Sequence, residues 1–230
     1  MDNWLARQDR LVGVQASDKL KNSRVAIAGL GGVGGAAFEA IVRSGVGHIL
    51  ALDCDVFDVT NLNRQLLATR STVGRDKCAV ASERAASINP ECEVTAVKER
   101  LDADNLSLIF DFKPDYIIDA IDCVTSKLAL IEQAKKLGFN IITSMGTGNR
   151  IDASDFVIGD IETSSGNGCG LSRVMRRELR NRGISGVTAL FSRAAPIQPA
   201  DKGRTPASIS FVPPVAGYLL AGYVIRQLIA

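Results

Sequence analysis

The feature that most constrains the fold of this chain is a glycine cluster at residues 29–34, Gly-Leu-Gly-Gly-Val-Gly. An apolar run at 24–28 precedes it, and a helical pattern at 33–44 follows. Gly29, Gly31, Gly32 and Gly34 would allow a tight turn close to a phosphate, and the helix N-terminus would supply free N–H groups. Asp53 ends the next apolar run, where a carboxylate can bind ribose hydroxyls. The motif predicts a nucleotide-binding turn without choosing between NAD, FAD and ATP.

Strand and helix patterns alternate along the first two thirds of the chain. Apolar strands are predicted at 24–28, 48–53, 93–97, 116–120 and 140–144, and helices at 5–20, 33–44, 77–88 and 125–137. This alternation predicts an α/β fold, a Rossmann-like, mostly parallel sheet with helices on both faces. After residue 145 the pattern changes to a charged helix near 171–180, strands at 187–191 and 208–212, and a final helix entered through prolines. We expect a nucleotide-binding domain at 1–145 and an α+β extension of the same fold at 146–230.

The polar segment that follows Asp53 favours ATP over a nicotinamide cofactor. Arg64 can neutralise the β- and γ-phosphates of a triphosphate, and Asn61 or Asn63 can fix its bend. Lys77, in the first turn of the next predicted helix, supplies a second cation. Asp119 and Asp122 end the strand at 116–120 and should face the same crevice, where a carboxylate suits Mg²⁺.

Composition excludes several classes of site and partner. Five scattered cysteines and a single histidine argue against a structural zinc site. The N-terminus does not resemble a signal peptide, and the late apolar stretch at 211–225 is short for a membrane span, so a soluble, cytoplasmic protein is expected. The net charge is only +2, yet residues 171–204 carry eight Lys and Arg residues against two acidic ones. Four of them share one face of the predicted helix: Arg173, Arg176, Arg177 and Arg180. This stripe would bind RNA phosphates or would simply be a solvated helix face.

Five ordered motifs carry a family resemblance: GLGGVG, LDCDVFDVTNLNRQ, VGRDK, INPE and DAIDCV. Together they resemble the adenylation domain of the ubiquitin-activating-enzyme-like (ThiF-type) superfamily. The resemblance implies an ATP-dependent enzyme that adenylates a carboxylate, with Gly32 and Asp53 on the nucleotide and residues 60–64 and Lys77 near the phosphates. It also implies Mg²⁺ at Asp122 and a homodimer in which Arg10 reaches the partner protomer's site.

The C-terminal half is most similar to the tRNA threonylcarbamoyladenosine dehydratase subfamily. The stretches that carry this similarity are SMGTGN at 144–149, RVMRRELR at 173–180 and SISFVPPVAG at 208–217, with Lys127 after Asp122. The implied reaction adenylates the threonyl carboxylate of the modified tRNA and closes a ring with loss of AMP. One alternative is adenylation of the C-terminus of a ubiquitin-like sulfur carrier or peptide. A second is a nucleotide-binding sulfur-trafficking module with little catalysis, and an NAD oxidoreductase is the most distant.

Cys169 lies in a small, polar segment at 166–170. A thiol there could act as a nucleophile or persulfide acceptor if the partner is a sulfur-transfer protein. The resembling family usually carries proline in this segment, so its glycine-rich form departs from the pattern.

Overall fold

The computed structural model describes residues 3–199 and 205–230. They form one seven-stranded sheet with the strand order β3-β2-β1-β4-β5-β7-β6. The strands are β1 (Arg24–Ala28), β2 (His48–Leu52), β3 (Glu93–Val97), β4 (Tyr116–Asp119), β5 (Ile141–Ser144), β6 (Phe156–Asp160) and β7 (Thr188–Ser192). All neighbours pair in parallel except β6 and β7, which are antiparallel. The predicted α/β class and mostly parallel sheet are confirmed.

Helices cover both faces of the sheet. They are α1 (Ala6–Val12), α2 (Val14–Asn22), α3 (Gly32–Arg43), α4 (Lys77–Ile88), α5 (Ser107–Phe110), α6 (Val124–Leu137), α7 (Gly170–Asn181) and α8 (Val212–Ile229). One buried apolar cluster joins α3, α4 and α8 to the sheet, and a second joins α6 and α7 to the opposite face. The central strands are buried on both faces, as expected where helices cover a parallel sheet.

Two local predictions need correction, and one strand was not predicted. The helix expected at 5–20 is two helices, because Gly13 adopts φ +88° and ψ 150° between α1 and α2. The strand expected at 208–212 is absent from the described residues, since Val212 begins α8 with prolines in its first turn. The position beside β7 is filled instead by β6, an antiparallel strand that the sequence patterns did not indicate.

The final helix, α8, packs against α3 through a buried face that includes Val212, Ala216, Leu220 and Val224. Among the described residues it is the one helix whose length and apolar composition would also suit a membrane span. Buried core helices can have the same length and apolar composition. The buried face of α8 agrees with the prediction of a core helix that begins with prolines. Tyr218 and Leu219 on its other side are exposed.

Candidate active site

The glycine turn connects the carboxyl end of β1 to α3. Gly29 has φ +90°, and a Cβ there would lie 2.8 Å from the carbonyl oxygen of Ala120. A Cβ on Gly34 would lie 1.7 Å from the carbonyl oxygen of Gly29. Both positions therefore require glycine for backbone packing. A Cβ on Gly31 would meet only the Gln65 amide nitrogen, at 3.9 Å, because Gly31 faces an open cleft.

The cleft has a volume of about 880 Å³ and runs along the carboxyl ends of the central parallel strands. This is the edge where open α/β sheets bind ligands. Eight of the predicted site residues line it: Gly29, Gly31, Gly32, Asp53, Asn61, Arg64, Lys77 and Asp122. Gly34, Asn63 and Arg10 do not. At Gly34 the close approach of the Gly29 carbonyl already explains the need for glycine, and a role in cofactor binding stays a prediction.

Arg64 and its neighbours form an ordered loop after β2. A short 3₁₀ helix, Val59–Asn61, is capped by Asp58, whose carboxylate accepts from the Thr60 N–H at 2.8 Å. Arg64 Nη1 donates to the Thr60 carbonyl at 2.8 Å and to Asn63 Oδ1 at 3.0 Å. Asn63 also donates to the Ser208 carbonyl at 3.1 Å. The Asn63 side chain thus supports Arg64 and the segment before α8, and its role in cofactor binding stays a prediction.

Lys77 begins α4 and is buried beside two carboxylates. Its Nζ lies 2.9 Å from Asp55 Oδ2 and 3.6 Å from Asp53 Oδ1. The hydrogen bond from Lys77 holds the pKa of Asp55 below its ordinary value. Asp53 also accepts from the Leu30 N–H at 2.6 Å and from the Asp55 N–H at 2.9 Å. These hydrogen bonds connect the glycine turn to the end of β2. The Asp53 carboxylate that makes them lies beside Lys77.

The two carboxylates predicted at the end of β4 differ completely in environment. Asp122 is exposed and lines the cleft. Asp119 is fully buried, forms an ion pair with Lys127 at 3.0 Å, and accepts from Thr143 at 2.7 Å. The expectation that Asp119 faces the crevice is therefore wrong. Its side chain points into the protein interior, where Lys127 neutralises its charge.

Several residues that were not among the predicted site residues complete the cleft. Glu99 and Arg100 follow β3, and residues 146–148 follow β5. The rule that ligands bind at the carboxyl ends of parallel strands could have indicated both groups. Thr205 and Pro206 also line the cleft. They come from the irregular segment before α8, and no local pattern indicates them.

Two predicted groups lie away from the cleft. Arg10 is exposed on α1 and makes no ion pair with any described residue. The basic stripe of α7 is partly neutralised within the chain. Arg180 pairs with Glu162, Arg177 with Glu178, and Arg176 donates to the Ser164 hydroxyl. Arg173 is exposed and has no ion pair in the described part of the chain. Lys202 and Arg204 of the basic segment lie outside the described residues.

Cys169 lies at the N-cap of α7 and is separated from the cleft by Gly146. Its Sγ accepts from the Ser172 N–H at 3.5 Å. Burial raises the pKa of this thiol, but the hydrogen bonds from Ser172 and Gly146 and the nearby Arg150 outweigh burial, so the net shift is downward. Cys169 is not among the residues that line the cleft.

The family profile described as the ThiF family matches residues 5–230. This chain belongs to the ThiF family. The ThiF-family resemblance predicted from the five motifs is therefore confirmed over nearly the whole chain. The match includes the C-terminal half of the chain as well as the glycine turn.

Among the similar proteins, the tRNA threonylcarbamoyladenosine dehydratase of Bacillus subtilis is 39% identical, over 100% of this chain and 96% of its own length. The Escherichia coli protein of the same name is 35% identical over 88% of this chain and 79% of its own length. A crystal structure of the E. coli enzyme, TcdA, in complex with ATP superimposes with a TM-score of 0.90 at 31% identity, covering 99% of this chain and 96% of that one.

Proposed function

We propose that this chain is an ATP-dependent tRNA threonylcarbamoyladenosine dehydratase. The observation that carries the proposal is the cleft in which a glycine turn, Arg64, Lys77 and Asp122 meet at one edge of the sheet. The similarity to dehydratases extends over both halves of the chain. No observation in the described residues favours a sulfur-carrier C-terminus as the substrate, so that alternative stays second.

The cleft suits ATP in size and chemistry. Its volume of about 880 Å³ lies within the range of small-molecule sites. The open space beside Gly31 would be filled by a side chain, so glycine keeps the path to the helix N-terminus of α3 free. Arg64 and Lys77 provide cationic groups, and Asp122 provides the exposed carboxylate that Mg²⁺ needs.

In the proposed first step, a carboxylate oxygen of the threonyl group attacks the α-phosphorus of ATP. The bond to the bridging oxygen breaks, and pyrophosphate leaves with the electron pair. Negative charge grows on the leaving group, and Arg64 and Lys77 would stabilise it. Mg²⁺ held by Asp122 would supply further charge neutralisation.

In the second step, the carbamoyl group of the same substituent attacks the activated carbonyl and gives up a proton. AMP leaves with the former carboxylate oxygen, so the nucleoside loses the elements of one water. Both reacting groups belong to one substituent, and proximity therefore supplies much of the rate enhancement. The task of the protein is to hold the substituent and keep bulk water from hydrolysing the acyl-adenylate.

For tRNA, we propose α7 as a contact surface. Arg173 and Arg177 are exposed, and the ion pairs of Arg177 and Arg180 are surface pairs that are weakly held. Phosphates could therefore displace Glu178 and Glu162 as partners of these arginines. Such binding would weaken with rising salt.

For assembly, we propose a homodimer in which Arg10 contributes to the partner's cleft. Leu11 and Val14 beside it are 85% and 60% exposed, and Tyr218 on α8 is also exposed. Exposed apolar side chains such as these are typical of surfaces that another copy covers.

We further propose that residues 1–145 and 146–230 act as one folding unit, in the cytoplasm. A sulfur-transfer protein remains a lesser proposed partner, with the Cys169 thiol as its support.

The test is a conversion assay by mass spectrometry. The protein is incubated with ATP, Mg²⁺ and tRNA that carries threonylcarbamoyladenosine, and the modified nucleoside is then analysed. We expect the mass of one water to be lost, with one AMP released per nucleoside converted. Asp122→Ala and Arg64→Ala should abolish turnover while the circular dichroism spectrum is retained. An unchanged nucleoside mass in the presence of bound ATP would refute the dehydratase, and normal turnover in either variant would refute the site assignment.

A further inference from the structure

Lys127 and Asp119 form an ion pair that is entirely shielded from solvent. The side chains are both 0% exposed, and Lys127 Nζ lies 3.0 Å from Asp119 Oδ2. Neither residue lines the cleft. A buried ammonium group is costly unless every hydrogen it carries has a partner, so its contacts indicate what the pair holds in place.

The contacts of Lys127 converge on the segment that contains Asp122. Lys127 Nζ donates to the carbonyl of Ile121 at 2.9 Å, and the backbone N–H of Lys127 donates to the carbonyl of Cys123 at 3.0 Å. The bond to Cys123 belongs to the first turn of α6 and any residue except proline at 127 would form it, so the contact specific to the lysine side chain is the one with the Ile121 carbonyl, immediately before Asp122. Asp119 completes the arrangement, because its Oδ1 accepts from the Ile121 N–H at 3.1 Å.

Stability alone does not account for such a pair. Replacing a buried ion pair by apolar residues of similar volume is often neutral or stabilising, whereas removing one partner is strongly destabilising. The Lys127–Asp119 pair is also hydrogen-bonded to Ile121, so it restrains the backbone next to Asp122. It fixes both backbone polar groups of Ile121, the residue before Asp122, and Asp122 is itself exposed and makes no side-chain hydrogen bond with the described residues.

We propose that Lys127 is a positioning residue that sets the direction of the Asp122 carboxylate toward metal-bound ATP. Lys127 acts through the Ile121 carbonyl and the Asp119 carboxylate, and it does not line the cleft. The inference rests on the role of Asp122 in the proposed function. Replacing a residue that orients a metal-binding carboxylate without contacting the metal typically changes metal affinity or activity by about 10- to 100-fold.

Isothermal titration calorimetry of ATP with and without Mg²⁺ tests this role without tRNA. The variants are Lys127→Met, which removes the donor, and Lys127→Gln, which keeps a neutral donor for the Ile121 carbonyl. Thr143→Val is the matched control, because it removes a buried hydrogen bond to Asp119 but no contact with residues 121–123. We expect Lys127→Met to weaken the Mg²⁺-dependent part of ATP binding by about 10-fold or more. Binding without Mg²⁺ should stay within about twofold, Lys127→Gln should be intermediate, and Thr143→Val should resemble the wild type.

A double-mutant cycle adds a readout that a merely structural role would not change. Lys127→Met should cause no further loss of Mg²⁺-dependent binding once Asp122 is replaced by Ala. If Lys127→Met does not fold, the charge-neutral pair Lys127→Met with Asp119→Asn takes its place, with the same expected loss.

The proposal is overturned if the folded Lys127→Met variant gains as much ATP affinity from Mg²⁺ as the wild type does. It is also overturned if the variant loses ATP affinity equally with and without Mg²⁺. No Mg²⁺ effect in the wild type would also overturn it, because Asp122 would then have no metal to bind. If the wild type binds ATP with Mg²⁺ but converts no tRNA, the dehydratase proposal fails, and the calorimetry still decides the role of Lys127.

Discussion

Cys123 and Cys54 both line the cleft, yet their environments shift their thiol pKa values in opposite directions. The hydrogen bond with the Thr125 hydroxyl, at 3.1 Å, and the hydrogen bonds from Ser126 lower the pKa of Cys123 to about 6. Burial, followed by the charge and hydrogen bond of Asp55, raises the pKa of Cys54. A thiolate is the form that reacts with alkylating reagents, so the pH profiles of the two cysteines should differ.

We therefore predict that iodoacetamide modifies Cys123 at a rate that falls as the pH drops through about 6 and is level above neutral pH. The Cys54 rate should still be rising at alkaline pH, and ATP should protect both thiols. Peptide mass spectrometry after timed alkylation measures both rates in one sample, and Cys123→Ser identifies its peptide. A Cys123 rate that keeps rising in parallel with that of Cys54 would contradict the assigned hydrogen bonds.

At the scale of elements, the contact between α3 and α8 depends on one glycine. A Cβ on Gly217 would lie 2.2 Å from the carbonyl oxygen of Val33 and 2.9 Å from Ala36 Cβ. The two helices would have to separate to accept even a methyl group. Gly222, one and a half turns further along α8, would place its Cβ 3.5 Å from the flexible end of Arg226. These two glycines form a matched pair in the same helix.

Gly217→Ala should lower the free energy of unfolding by about 1–3 kcal/mol or more through overpacking. Gly222→Ala should leave it unchanged or raise it by up to about 1 kcal/mol, because alanine is the better helix former. Thermal unfolding at one protein concentration gives both values, with about 2–4 °C expected per kcal/mol for a chain of this size. Equal destabilisation by the two variants would mean that the close helix approach is not what Gly217 provides.

At the scale of the whole molecule, the proposed homodimer makes each active site depend on two chains. Arg64 and Asp122 line the same cleft, whereas Arg10 lies outside it on α1. Arg10→Ala and Asp122→Ala should each abolish turnover alone. When the two variants are unfolded and refolded together, mixed dimers should regain one intact site, about a quarter of the wild-type activity at equal amounts.

The control is a mixture of Asp122→Ala and Arg64→Ala, which should stay inactive because both residues serve the same protomer's cleft. Light scattering after size exclusion gives the oligomeric state in each sample. Activity restored in the control, or a monomer that is fully active, would contradict the shared site.

The parts of the site that follow strand ends were predictable from the chain. Gly29 and Gly31 meet Lys77 and Asp122 because parallel strands bring their carboxyl ends to one edge of the sheet. Side-chain direction at those ends was not predictable. Asp119 and Asp122 are three residues apart, yet Asp119 ends the buried strand β4 beside Lys127 and Thr143, whereas Asp122 lies in the loop that follows and is exposed.

The sequence by itself determined the α/β class, the glycine turn after β1 and the family, because glycine requirements, strand–helix alternation and short motifs are local properties of the chain. The tertiary structure alone decided that β6 pairs with β7, that residues 205–206 reach the cleft, and that Asn63 supports Arg64. These facts depend on contacts between distant segments. Such contacts are selected by packing and by the need to pair every buried polar group, and a local pattern does not record either condition.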